Sequence, residues 1–256
     1  MNQSNPIARA TFKVCLTTLI VLLLSSQSLH SEEKVNDDKF DLNLTLNSDA
    51  FFGFYPFFAG SYELNDNIDF TFYGILWSGG TGENWGNWTE FGAGIGFNIT
   101  ESIYVNPQIG ILNGSLTSGL GNTVLGEGIV PNLTVLVENG RTEGEIYAGY
   151  YYGFDHGNPV TNNYLHWWLS GGYDLGKIIS IGAHFEHLRF TGGQNQPSNS
   201  AYDYYMAVGP YIKISSPNGG SFVKFIAASD LRPDDEIAKS GLNQPSFFKL
   251  IVGFGI

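Results

Sequence analysis

The sequence alternates between apolar and polar residues with a period of two along much of its length. In NIDFTFYGILW (67–77), Ile68, Phe70 and Phe72 share one face, and Asp69 lies on the other. Similar alternation is found in four further segments, 89–99, 102–112, 163–175 and 177–187. An α-helix would need apolar residues every three or four positions, whereas a strand presents successive side chains to opposite faces. The pattern therefore predicts β-strands with one apolar and one polar face.

The composition explains why such strands would not form an ordinary soluble domain. Charged residues make up 14% of the chain, well below the roughly 25% that is usual for soluble domains. Aromatic residues make up 15%, and the mean hydropathy is −0.05. No segment after the N-terminal region approaches the roughly 18 consecutive apolar residues of a transmembrane helix. Near-neutral hydropathy with many aromatics is expected when apolar and polar residues alternate along membrane strands.

The N-terminus has the three parts of a secretory signal peptide. The chain begins with a segment that has two basic residues and no acid. A largely apolar run of eleven residues follows at 14–24, and small residues follow at 25–31. The apolar run is too short to favour the alternative, an uncleaved anchor. We expect residues 1–31 to be a cleaved signal peptide and residues 32–256 to be one domain. Cys15 is the only cysteine, so the mature domain would contain no disulfide.

Short and long connections alternate between the predicted strands. Short turns are predicted at 65–67, 99–101, 139–142, 175–177 and 216–220. Longer polar loops are predicted at 78–88, 113–127, 155–162, 190–200 and 229–246. Counting strands from residue 56 gives eleven, and the alternating segment 39–47, joined by a bend at 48–55, gives a twelfth. A count of ten or fourteen strands is also compatible with the pattern. Any even number would place both termini at the same end of the sheet.

The chain ends on the apolar stretch SFFKLIVGFGI, residues 246–256. Phe248, Leu250 and Val252 share one face with Phe254 and Ile256, while Lys249 points the other way. Eleven residues at about 3.3 Å each suit a tilted membrane strand and are too few for a helical anchor.

These features together resemble the outer-membrane β-barrel proteins of Gram-negative bacteria. The last strand resembles their C-terminal recognition strand, although it ends on Ile256 and has Ile251 where glycine is common. The resemblance implies an all-β fold, a transmembrane antiparallel up-and-down β-barrel of about twelve strands. It implies outer-membrane lipid as surroundings and the barrel-assembly machinery as a partner of the C-terminal strand. Short turns and both termini would face the periplasm.

The resemblance also implies a function, a porin-like passive channel for small polar solutes. Two alternatives remain, an outer-membrane lipid hydrolase and a non-conducting structural or surface barrel. Nucleic acid is not an expected partner, because removing residues 1–31 takes Lys plus Arg from 12 to 10 against 24 acids, a net charge of −14. We expect no cofactor, since the GAGIG run at 92–96 lacks the spacing of a nucleotide loop.

The polar phase of each strand supplies the residues expected to line the lumen. They are Glu90, His166, Ser170, His184, Glu186, Asp203, Tyr205 and Lys213. His166 and Ser170 lie on one strand, and His184 and Glu186 on its neighbour. On such antiparallel neighbours the numbers of two facing residues should add up to about 352 or 354. Either value places all four residues in one lumenal patch.

A hydroxyl, two imidazoles and a carboxylate in one patch are weak candidates for a hydrolase site. Some barrels of this kind do cleave lipids with Ser and His residues near the outer leaflet. Here the patch would lie inside the barrel instead, so we favour a polar lumen wall without chemistry. No metal site is expected, because His184 and His187 would point to opposite faces of a strand.

Aromatic residues cluster near the ends of the predicted strands. They could form girdles at the two membrane interfaces, or they could be buried as a hydrophobic core. The residues concerned are Phe51, Phe52, Phe54, Tyr55, Phe57, Phe58, Trp77, Tyr150, Tyr151, Tyr152, Trp167, Trp168, Tyr202, Tyr204 and Tyr205.

Overall fold

The structure is a computed structural model that describes residues 39–78, 87–118, 123–156, 160–197, 200–217, 219–243 and 245–256. The predicted signal peptide, residues 1–31, lies outside the described residues. The strands are β1 (Phe40–Asp49), β2 (Gly53–Asn65), β3 (Ile68–Ser78), β4 (Asn87–Thr100), β5 (Ile103–Gly114), β6 (Val124–Asn139), β7 (Thr142–Gly153), β8 (Asn163–Asp174), β9 (Ile179–Gly192), β10 (Tyr202–Ser215), β11 (Ser221–Asp230) and β12 (Ser246–Gly255). One helix, α1 (Asp234–Ser240), precedes β12.

The twelve strands form one closed antiparallel barrel. Each strand pairs with the next along the chain, and β12 returns to pair with β1, from Asn43 opposite Gly255 to Asp49 opposite Lys249. The backbone N–H of Ile256 also donates to the carbonyl oxygen of Leu42, at 2.9 Å. The predicted all-β barrel of about twelve strands is confirmed.

The apolar phase of the strands faces outward. On β12, Phe248 is 49% exposed, whereas Lys249 points inward and is 5% exposed, as the alternation predicts. Many other large apolar side chains are exposed around the outside of the barrel. They include Phe54, Phe70, Phe91, Ile109, Ile111, Ile146, Leu169, Ile181, Ile212 and Phe225.

The two ends of the barrel differ in their connections. At one end, the turn end, the strands are joined through residues 66–67, 101–102, 140–141, 175–178 and 216–220. At the other, the loop end, five connections are longer, at residues 79–86, 115–123, 154–162, 193–201 and 231–245. The exception at the loop end is the connection between β1 and β2, which has only three residues, Ala50–Phe52.

The last connection contains the one departure from strand and loop in the described chain. Part of the polar loop predicted at 229–246 forms α1 instead, with Asp234, Asp235 and Glu236 in its first turn and Lys239 in its last. This charge distribution suits the helix dipole. Gly241 ends the helix in the left-handed conformation, at a φ of 68°. None of the described helical residues forms a helix long and apolar enough to cross a membrane.

Close packing between neighbouring strands generates a first prediction. Gly209 lies on β10, where an added Cβ would overlap the backbone of Ala227 and Ala228 on β11. At Gly171, on β8, the same Cβ would meet nothing within 4 Å. Gly209→Ala should therefore destabilise the barrel by about 1–3 kcal/mol, the usual cost of overpacking, whereas Gly171→Ala should not.

The measurement is the temperature at which the purified barrel loses its compact, fast-migrating form on a semi-native gel. A lower transition temperature for Gly209→Ala than for Gly171→Ala is the expected result. Equal transition temperatures for the two variants would show that β10 and β11 do not approach each other this closely.

Candidate functional site

The lumen is mostly aromatic towards the loop end and carries more polar and charged side chains towards the turn end. Inward residues near the loop end are buried and mostly aromatic. We call them, with the neighbouring turn residues, the aromatic layer: Phe51, Phe52, Tyr55, Trp77, Trp88, Tyr151, Tyr164, Phe190, Tyr205 and Phe247.

The short β1–β2 connection folds into the middle of the aromatic layer. Asp49 Oδ1 accepts hydrogen bonds from the backbone N–H groups of Phe51, at 2.8 Å, and Phe52, at 2.5 Å. The Phe52 ring lies 4.6 Å from that of Trp77, and the Phe51 ring lies 4.8 Å from that of Tyr205, between centroids. The connection thus fills the lumen with two phenyl rings rather than extending outward as a loop.

The aromatic residues near the strand ends fill both of the roles expected from the sequence, an outer surface and a buried interior. Phe54, Tyr150 and Tyr152 face outward and are exposed, whereas Tyr55 and Tyr151 face inward and are buried. Consecutive residues of a strand point to opposite faces, so an aromatic run necessarily supplies both an outer surface and an inner layer. An interface girdle alone is therefore the wrong interpretation of these clusters.

A cavity of about 510 Å³ occupies the lumen from the aromatic layer to the turn end. Its lining reaches Asp41, Asn43 and Glu138, which are exposed at the turn end. A cavity within the aromatic layer, lined by Phe52, Trp77 and Trp88 among others, has a volume of about 20 Å³, enough for about one water molecule. As far as the described residues show, the lumen is open at the turn end and closed at the aromatic layer.

Glu186 is the centre of a hydrogen-bond network at the boundary between the two halves. Its Oε1 lies 2.9 Å from His166 Nε2 and 2.8 Å from the Tyr205 hydroxyl. Its Oε2 lies 2.9 Å from both His184 Nε2 and Lys249 Nζ. The side chain is fully buried, and a buried carboxylate is tolerated only when it is paired and hydrogen-bonded in this way.

The network continues from His184 towards the cavity. A carboxylate can only accept hydrogen bonds, so His184 carries its proton on Nε2 and presents an acceptor at Nδ1. The Ser170 hydroxyl lies 2.7 Å from that Nδ1, and Lys224 Nζ donates to Ser170 Oγ at 3.2 Å. The result is a chain of contacts in the order Lys224, Ser170, His184, Glu186.

The structure brings together the four residues considered as candidates for a hydrolase site. Ser170 pairs directly with His184, so facing residue numbers of β8 and β9 sum to 354, one of the two values expected from the sequence. His166 joins through Glu186. His166 and Glu186 are 20 positions apart in the sequence, and the tight turn at 175–178 brings them together by placing β8 beside β9.

Three other predicted lumen residues also point inward. Tyr205 contacts Glu186, and Lys213 forms an ion pair with Glu143 on β7. Glu90 is fully buried and accepts hydrogen bonds from the Tyr73 hydroxyl, at 2.6 Å, and from the Trp77 indole, at 3.4 Å.

Asp203 is a correction to the predicted lumen set. It pairs with Arg189, whose N–H donates to Asp203 Oδ1 at 2.6 Å, and it contacts His187 at 3.0 Å. Both partners belong to the outward phase of β9. A register irregularity at Tyr204 inserts one residue between Asp203 and Tyr205, so the two do not share a face, as strict alternation would require.

Sequence reasoning missed the residues that depend on barrel closure. Asp49 lies opposite Lys249 only because β12 pairs with β1, and nothing in the local sequence of either strand indicates this contact. Glu143 could have been predicted, because it is the first inward-facing residue in the alternating pattern of β7. In the described part of the chain, no group of three or more His, Cys, Asp or Glu side chains is arranged to hold a metal ion.

The fold and the lumen define a closed twelve-stranded β-barrel with an apolar exterior and a polar cavity. The chain belongs to a family of unknown function, DUF6733, which matches residues 9–256. A comparison with curated proteins found no match.

Several porins of known structure are similar to the chain at low identity. The NanC porin is 9% identical, with 83% of this chain and 97% of that chain covered and a TM-score of 0.48. The KdgM porin in complex with disordered oligogalacturonate is 11% identical, with 84% and 98% covered and a TM-score of 0.45. OccK5 of Pseudomonas aeruginosa is 10% identical, with 83% and 62% covered and a TM-score of 0.46. Nothing about this chain's lumen or solutes follows from similarity at this level.

The buried network generates a second prediction. Glu186→Gln keeps the shape of the side chain but leaves the Lys249 ammonium without its nearest carboxylate. Breaking one side of a buried ion pair costs about 3–5 kcal/mol, so this variant should be strongly destabilised. Removing the second charge as well, with Lys249→Met, should recover part of the loss.

Unfolding midpoints of the three proteins test this, with Glu138→Gln as the exposed control that should remain near wild type. A double variant that is no more stable than Glu186→Gln alone would contradict the importance of the Glu186–Lys249 pair.

Proposed function

We propose that the protein is a porin-like barrel of the Gram-negative outer membrane that passes small polar solutes through its lumen. The observation that carries the proposal is the combination of an apolar outer surface with a cavity of about 510 Å³ inside a closed barrel, lined by charged and polar side chains among apolar ones. An apolar exterior and a polar interior are the reverse of a soluble barrel and the arrangement of a transmembrane one.

The outer surface supports location in a membrane. Exposed aromatic and aliphatic side chains occur on strands all around the barrel, and soluble monomers rarely expose large contiguous apolar surfaces. Strands of 10 to 16 residues, at about 3.3 Å per residue and tilted, are long enough to cross a hydrocarbon layer of about 25–30 Å.

The proposal also includes how the chain reaches and enters the outer membrane. Residues 1–31 direct it through the inner membrane as a cleaved signal peptide. The barrel-assembly machinery then binds the C-terminal strand, with Phe254 in the outward phase, and outer-membrane lipid surrounds the finished barrel. In this orientation the turn end and its open cavity face the periplasm, and the aromatic layer lies towards the cell exterior.

The charges in the cavity define the class of solute. Four carboxylates and three ammonium groups are among the lining residues: Asp41, Glu138, Glu143, Glu145, Lys213, Lys224 and Lys249. This near balance supports passage of small polar solutes rather than strong selection for one sign of charge.

The aromatic layer is the constriction of the proposed channel. Solutes can pass only when the connection Ala50–Phe52 leaves its place between Trp77 and Tyr205. Ring contacts, two hydrogen bonds to Asp49 and one from the Ala50 N–H to the Phe248 carbonyl oxygen act on this connection. Because it joins two strands and is not itself a strand, it is the part of the layer that moves in the proposed channel. The same closure is what a non-conducting barrel would have, and conductance separates the two functions.

Planar bilayer recordings provide the third prediction. Wild-type protein should give brief openings, because the phenyl rings block the lumen most of the time. The double variant Phe51→Ala and Phe52→Ala should give severalfold larger or longer openings, since it removes both rings from the constriction. Phe54→Ala is the matched control, because Phe54 lies on the outer surface just beyond the same connection.

Channel events from the wild type and a clear increase in the double variant would support the proposal. If neither protein conducts, the barrel is a non-conducting one and the channel function is excluded. If Phe54→Ala has the same effect as the double variant, the constriction lies elsewhere.

A further inference from the structure

The order of groups around Ser170 is that of an activated nucleophile. The Ser170 hydroxyl faces an imidazole nitrogen at 2.7 Å, and the other nitrogen of that ring faces a carboxylate oxygen at 2.9 Å. A serine is made nucleophilic by an adjacent base whose orientation a third group fixes. Here His184 uses Nδ1 towards the serine and Nε2 towards Glu186, the reverse of the more familiar use of the ring.

The hydroxyl lies where a small molecule can reach it. Ser170, His184 and Lys224 all line the cavity of about 510 Å³ that opens at the turn end. A molecule arriving from that end does not have to cross the aromatic layer. Access therefore does not depend on the channel proposed above.

Another serine in the same lumen shows what a purely structural arrangement looks like. Ser180 is also inward and buried, but its hydroxyl donates directly to Glu143 Oε1, at 2.6 Å. No contact in the described residues joins Ser180 to an imidazole. Ser170 differs because its proton has a base to accept it, and that base is held in one tautomer by a carboxylate.

We infer that Ser170, His184 and Glu186 form a catalytic triad inside the lumen, which hydrolyses small, water-soluble carboxylic esters. Ser170 is the nucleophile, His184 is the general base and then the general acid, and Glu186 orients the ring. His166, Tyr205 and Lys249 are positioning residues, because they act only by holding Glu186.

The reaction proceeds in two steps, formation of an acyl-serine and its hydrolysis. Ser170 Oγ forms a bond to the ester carbonyl carbon while His184 Nδ1 takes the hydroxyl proton. The bond to the alcohol oxygen then breaks, and His184 returns the proton to the leaving alcohol. In the second step water attacks the acyl-serine, gives a proton to His184 and releases the carboxylic acid, while Ser170 regains its proton.

Lys224 is placed to stabilise the charge that develops on the carbonyl oxygen. Its ammonium lies 3.2 Å from Ser170 Oγ and 4.2 Å from the centroid of the Tyr211 ring. A fixed positive charge beside the nucleophile can stabilise the oxyanion of a tetrahedral intermediate. The backbone amides around Ser170 are occupied by strand pairing, so Lys224 is the donor available for this role.

The position of the triad determines the substrate class. The groups face a polar cavity with charged walls, and the apolar surface that lipid chains would contact is on the other side of the strands. Soluble esters small enough for the cavity are therefore the expected substrates, and membrane phospholipids are not.

Covalent labelling of the purified full barrel in detergent tests the inference directly. A fluorophosphonate forms a stable bond with an activated serine, and mass spectrometry of the digested protein locates it. We expect an adduct on Ser170 in the wild type, none in Ser170→Ala, and wild-type labelling in Ser180→Ala. His184→Gln should slow labelling about 10²–10⁴-fold, the usual contribution of a general base.

Hydrolysis of p-nitrophenyl acetate provides the matching activity measurement. Ser170→Ala and His184→Gln should lose the protein-dependent rate, and Lys224→Met should lower it about 10²-fold. His187→Gln is the control, since that ring contacts Asp203 and Trp167 outside the lumen. Semi-native gels establish that each variant is folded.

The experiments test the triad, the substrate class and the channel function separately. No adduct on Ser170 in the wild type, or equal labelling of wild type and His184→Gln, would overturn the triad even if a variant failed to fold. Ser170-dependent release of fatty acid from phosphatidylethanolamine vesicles would overturn the assignment of soluble esters. A barrel that conducts but does not label would retain the channel function and lose this one.

Discussion

The structure depends on one constraint, the pairing of the last strand with the first. A backbone N–H or C=O left unpaired in hydrocarbon costs several kcal/mol, so a sheet can cross a membrane only as a closed ring. Pairing of β12 with β1 removes both edges. Closure also fixes the face of every side chain, because one phase of each strand must meet the surroundings and the other must fill or line the lumen.

The lumen is organised around a buried carboxylate. Glu186 receives hydrogen bonds from side chains on β8, β9, β10 and β12, so one group links strands that are not neighbours in the sheet. This arrangement compensates the cost of burying the charge and fixes the His184 ring at the same time. A network that is required for stability can therefore also hold a reactive serine and its base in place.

The sequence predicted most of the architecture because alternation is a strong local signal. It identified the strand number, the outward phase of β12 and the unequal connections, and it restricted Ser170 and His184 to two registers. It failed where the backbone departs from regularity, since the irregularity at Tyr204 reverses Asp203 without any mark in the residue pattern. It also could not show that Phe51 and Phe52 turn inward, because a polar–apolar pattern does not report how a short connection bends.

The register of β1 and β12, which places Asp49 opposite Lys249, affects the order of assembly. Asp49 holds the backbone of Phe51 and Phe52, and its register partner Lys249 holds Glu186. Lys249 belongs to the strand that is synthesised last, so this pairing can form only when the ring closes. Until then Phe51 lacks the ring of Tyr205 on β10 to pack against, whereas Phe52 already meets Trp77 on the nearby strand β3. Closing the ring therefore also completes the obstruction of the lumen.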